Sequence, residues 1–160
     1  MEYIALVIAL LSLVISFATL LIQRREDRVA RSLATFTGVL AEYRSRESSE
    51  MRRRVAARLG EIAYTEGARL SDLPDDVREE ATAISHFFDH LGAMVAHGMV
   101  EKDVVIGFCG GSVIGWWNRL EPYIKAERSS GYRVYQKYFE TLNRLAGETR
   151  QESIISRLQK

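Results

Sequence analysis

From Tyr3 to Ile22 the chain runs for twenty residues without a charged side chain, and no other feature narrows the folds open to it as much. A helix rising ~1.5 Å per residue covers ~30 Å over such a run, the thickness of a hydrocarbon core. A cleaved secretory leader is the weaker reading. Ser16-Phe17-Ala18 loosely resembles a cleavage site, but the segment before the run holds Glu2 and no Lys or Arg. The apolar stretch is also longer than a leader needs. Arg24, Arg25, Arg28 and Arg31 follow it directly. Arginines beside a span resist translocation and are drawn to anionic headgroups, so these four are the predicted lipid contacts. The sequence thus predicts a transmembrane anchor over 1–23, with the N-terminus outside and the remainder cytoplasmic.

The same run carries a second pattern. Ala5, Ala9, Ser12, Ser16, Thr19 and Gln23 recur at spacings of three and four, which puts small and hydroxylated residues on one helical stripe. Small residues let helices approach closely, and hydroxyls can hydrogen-bond across the seam. The stripe therefore predicts self-association. In its sharpest form Ser12, Ser16, Thr19 and Gln23 line a water-filled pore within a ring of copies.

Beyond the run the expected fold class is all-α, the anchor helix continuing into a small cytoplasmic helical bundle over 24–146. A polar tail, in part a short helix, is expected over 147–160. Only Pro74 and Pro122 interrupt the chain, and strand-type alternation is nearly absent. Val29, Leu33, Phe36, Leu40 and Tyr43 keep a helical rhythm. Ser45–Ser49 predicts a turn, with Ser48 or Ser49 capping a helix over about 50–66 that Gly67 ends. Ser71–Asp76 predicts the start of a helix reaching about His97, closed by Gly98. A short helix over 101–109 is expected to break at Gly110-Gly111. Another then carries Trp116, Trp117 and Leu120, kinked at Pro122. The last expected helix presents Tyr132, Tyr135, Phe139 and Leu142. Charge is segregated: residues 23–58 sum to +5, 59–103 to −7 and 104–160 to +4. The single cysteine, Cys109, excludes an intrachain disulfide and suits a reducing compartment.

The order Phe87-Phe88, Leu91-Gly92, Gly98-Met99-Val100, Trp116-Trp117, Leu120-Glu121-Pro122 and then an aromatic last helix resembles a widespread bacterial class of small, N-terminally anchored helical proteins of unknown function. The likeness covers about Ile4 to Leu145. It implies location in a bacterial inner membrane and a helical domain, and it implies no reaction. The layout also resembles that of a single-pass, ring-forming accessory protein of some CRISPR systems that permeabilises the membrane of infected cells.

Residues that could carry chemistry are few. His86, His90 and His97 share one side of a predicted helix and are the metal candidates, since His pairs at i and i+4 can chelate zinc or nickel. The HExxH signature is absent. The Arg–His spacing of small helical RNases of the HEPN class is missing too, because Arg78 and His86 have seven residues between them. Gly107, Gly110, Gly111 and Gly115 lack the preceding strand and following Lys-Ser/Thr of a phosphate loop. Cys109 reads as a packing residue, and the arginine cluster points to lipid rather than nucleic acid. No catalytic residue, cofactor or resident metal is expected. The resulting expectation is a non-enzymatic, membrane-anchored homo-oligomer, with a pore-forming or membrane-perturbing effector of phage defence as its sharpest form. One alternative is an anchored adaptor recruiting a cytosolic protein partner. The other is a metal-dependent enzyme using the His86/His90/His97 face.

Overall fold

A computed structural model of the chain describes residues 2–149. Within the first helix it describes the side chains of Ser12, Leu13, 15–21, Gln23, Asp27, Ala30, Ala34 and 36–44. The described residues form five α-helices and no strand: α1 (Glu2–Arg44), α2 (Arg46–Glu61), α3 (Asp75–Ala96), α4 (Lys102–Ser129) and α5 (Lys137–Glu148). A 3-10 turn over Leu70–Asp72 precedes α3. The all-helical expectation therefore holds.

The transmembrane part of that expectation does not. Among the described residues no helix is long and apolar enough to cross a membrane. A span needs ~20 consecutive predominantly apolar residues. In the described part of the run Ser12, Ser16 and Thr19 dilute the apolar character, and α1 then passes through Gln23 and Asp27 without a break. The expected continuity is present, with one 43-residue helix leading into the bundle. The expected 150–160 part of the tail lies outside the described residues.

Local signals explain most boundaries. Ser45, rather than Ser48 or Ser49, caps α2: its Oγ accepts the Ser48 N–H at 3.1 Å, so the turn after α1 is a single residue. Helix α2 stops at Glu61, short of Gly67. Pro74 occupies the cap position of α3, with Asp75 and Asp76 in the first turn, where negative charge meets the positive end of the helix dipole. At the other end Gly98, with φ +67°, completes a Schellman motif. Its N–H donates to the Val95 carbonyl at 3.0 Å, and the Met99 N–H donates to the Met94 carbonyl at 2.9 Å.

The expected break at Gly110-Gly111 is absent, and α4 runs continuously for 28 residues with Pro122 inside it. A mid-helix glycine costs only about 1 kcal/mol relative to alanine. Against that stands an unbroken buried stripe from Val105 through Cys109, Val113, Trp116 and Leu120 to Ile124. Packing overrides local propensity here.

The core is an aromatic relay flanked by aliphatic residues. Tyr43 of α1 stacks on Phe87 of α3 with centroids 5.1 Å apart. Phe88 stacks on Phe139 of α5 at 5.1 Å, and Phe139 meets Trp117 of α4 edge-on at the same distance. The α3–α5 seam is the tightest. A Cβ placed on Gly92 would lie 2.4 Å from the Tyr138 carbonyl oxygen, so only glycine lets the two backbones meet there. Asp89 completes the seam, its Oδ1 accepting the Phe139 N–H at 3.0 Å and capping α5 from a neighbouring helix.

Candidate functional site

Three regions bear on function: the N-terminal half of α1, the histidine face of α3, and a cavity where α1, α2 and α3 meet.

On α1, Phe36 is the first buried side chain among those described, and it packs beside Phe108 of α4 at 5.8 Å. Earlier in the helix Leu13, Ile15, Phe17, Leu20 and Leu21 are 44–67% exposed. Of the expected stripe, Ser12, Ser16, Thr19 and Gln23 are all exposed. The Thr19 hydroxyl donates to the Ile15 carbonyl at 2.9 Å, so its donor is already satisfied within the helix. The side chains of Ala5 and Ala9, and of the expected lipid contacts Arg24, Arg25, Arg28 and Arg31, lie outside those described.

His86 and His90 on α3 and His97 at its C-cap are all exposed, and two of the three meet a tyrosine. The rings of His86 and His90 are 6.3 Å apart, and His86 meets Tyr135 at 6.2 Å. His97 lies 6.0 Å from the Tyr138 ring, with its Nε2 3.4 Å from the tyrosine hydroxyl. Among the described residues no group of three or more His, Cys, Asp or Glu is placed to hold a metal ion. Cys109 is buried, and desolvation pushes its thiol pKa up, the opposite of what a nucleophile requires.

The third region carried no mark in the sequence. Tyr43, Met51, Ile84, Phe87 and Phe88 line a cavity of ≈ 240 Å³ together with Glu42, Ser48, Arg52 and Ala83. The Arg52 guanidinium lies 3.7 Å above the Tyr43 ring centroid and donates to Ser49 Oγ at 3.2 Å.

Structural residues also escaped the sequence reading. Arg128, only 12% exposed, holds the chain reversal between α4 and α5. Its Nε donates to the Tyr135 carbonyl at 2.7 Å, one terminal nitrogen to the Gln136 carbonyl at 3.0 Å and the other to Glu140 Oε2 at 2.9 Å. Gln136, left-handed at φ 54° and buried, bridges back to Ser85 Oγ at 3.1 Å. Glu127 of α4 accepts the Ser71 N–H at 3.1 Å and ties down the turn before α3.

Residues 6–148 match a family described as a domain of unknown function, DUF4760. The chain belongs to the DUF4760 family. No curated protein and no solved structure matches it. Within this DUF4760 domain the residues that carried the resemblance are packing devices. Phe87 and Phe88 join the aromatic relay, Gly92 admits α5, Gly98 closes α3, and Trp117 braces Phe139.

Proposed function

We propose that the chain is a non-enzymatic, self-assembling helical module in which α1 of one copy packs against α1 of others. The observation that carries this reading is the exposure of the large apolar side chains described there, Leu13, Ile15, Phe17, Leu20 and Leu21. Burying apolar surface is worth about 25 cal/mol per Å², so such a segment favours being covered. A second copy suits it. The side chains of Ser12, Ser16 and Thr19 are short enough for close helix approach, and the Thr19 donor is already used within the helix, so covering Thr19 strands no hydroxyl hydrogen. The stretch from Tyr3 to Ile22 holds no charge, so like-charge repulsion does not oppose pairing along it.

The test is the mass of the purified particle by light scattering. The expected value is a multiple of 18.2 kDa. Ser16→Leu places a branched side chain in the seam and shifts the particle toward a single chain while helical content is kept. A wild-type particle that is already monomeric, or an oligomer indifferent to Ser16→Leu, refutes the reading.

A further inference from the structure

We propose that the cavity at the junction of α1, α2 and α3 is a binding site for a small aromatic zwitterion, the chemistry of a free aromatic amino acid. Size sets the first limit. A dry apolar cavity of about 150 Å³ accommodates benzene. The ≈ 240 Å³ here holds one ring with a short polar extension. The lining sets the second. Met51, Ile84, Phe87 and Phe88 offer a ring only apolar and aromatic surface.

Two of the polar lining residues, Glu42 and Arg52, carry opposite signs. Arg52 is held flat on Tyr43, which orients its donors in the plane of the guanidinium, and Ser49 takes one of them. No carboxylate lies within ion-pairing distance of Arg52 among the described residues, although its neighbours Arg54 and Arg58 are both paired. A planar, pre-oriented guanidinium without a carboxylate is suited to take one bidentately from a ligand. Glu42 lines the same cavity, and its carboxylate accepts hydrogen bonds only. It therefore selects a ligand that also carries a donor, as an α-ammonium does. One positive and one negative group facing an apolar chamber match a neutral zwitterion better than a simple acid or a simple amine.

Equilibrium dialysis of the full chain with labelled phenylalanine tests this, with 3-phenylpropanoate and phenethylamine as competitors. Saturable binding of phenylalanine at millimolar concentration or below is expected, with both competitors at least tenfold weaker. Arg52→Met lowers phenylalanine affinity at least tenfold. Arg52→Lys, which keeps the charge but not the fork, lowers it by a smaller factor. Glu42→Gln weakens phenylalanine and leaves phenylpropanoate unchanged. The assignment is overturned by absence of saturable phenylalanine binding, by phenethylamine binding as tightly as phenylalanine, or by equal affinity in wild type and both Arg52 variants. Because the readout is a small-molecule affinity, it stands or falls independently of the particle mass that tests self-assembly.

Discussion

Gly92→Ala is the substitution whose outcome the structure constrains most tightly. The new methyl carbon would lie 2.4 Å from the Tyr138 carbonyl oxygen and 2.7 Å from its carbon, against 3.4 Å or more for an ordinary contact. Both atoms are backbone, so no rotamer change relieves the clash, and α3 and α5 must part by about 1 Å. That separation loosens Phe88 and Leu91 against Phe139 and Leu142, all buried. Overpacking of this kind costs 1–3 kcal/mol, and the absence of a side-chain escape puts it at the upper end. Alanine recovers about 1 kcal/mol of helix propensity. The net expectation is a loss of about 2 kcal/mol, which lowers the melting temperature by roughly 5–10 °C in a domain of this size. Gly111→Ala is the internal control. It is also mid-helix, yet nothing lies within 4 Å of its added carbon, so the same chemical change should stabilise by about 1 kcal/mol. Urea unfolding followed by circular dichroism, at fixed protein concentration so that self-association cancels, measures both. If Gly92→Ala were neutral or stabilising, the close approach of α3 and α5 would be wrong.

Arg128→Met removes three hydrogen bonds and leaves the Tyr135 and Gln136 carbonyls short of a donor, a loss of about 3 kcal/mol. Arg128→Lys recovers less than half of it, because an ammonium cannot serve three acceptors spread along a fork. Amide hydrogen exchange over 132–140 reads the loss directly, and unchanged protection there refutes it. Acid should destabilise the fold through Glu140 and Asp72. A side-chain hydrogen bond from Lys137 lowers the Glu140 pKa, and one from Arg69 lowers that of Asp72. Folded values below the unfolded ones mean stability fully present above the ordinary carboxylate range and lost as pH falls through the depressed values. Glu140→Gln should flatten the decline between about pH 5 and pH 3, and an unaltered slope there contradicts it.

Sequence pattern reached the helices and stopped short of the junctions. The four-three rhythm found α1, α2, α3 and the body of α5, though α5 begins at Lys137 and leaves the expected Tyr132 and Tyr135 in the turn before it, and Gly98 marked the end of α3, because both signals are local. Gly110-Gly111 misled for the same reason: a local break signal is worth about 1 kcal/mol per residue and loses to a buried face as long as that of α4. The polar stretch Ser45–Ser49 reads as a turn in sequence, whereas Arg46 onward already belongs to α2 and Ser45 alone is the cap. The histidine alignment was legible, whereas its interleaving with Tyr135 and Tyr138 comes from α5 and the turn before it, about fifty residues away in sequence. Arg52 and Arg128 looked like two more surface arginines. What sets them apart is a ring beneath one and two carbonyls around the other, contacts that only the folded chain supplies. The apolar run reads as a bilayer span in sequence from its length, its lack of charge and the arginines that follow it.

Helix α1 is continuous from its exposed half to the turn that seats it, and that gives it a mechanical property. Its 43 residues make a rod ~64 Å long, and among its described side chains those seated in the bundle run from Phe36 to Tyr43. A tilt of about ten degrees at the seat carries the far tip through roughly 10 Å, since displacement grows with distance from the pivot. The pivot is Tyr43, clasped between Arg52 and Phe87. Any tilt of the helix at that seat is thereby geared up into a larger displacement at its far end.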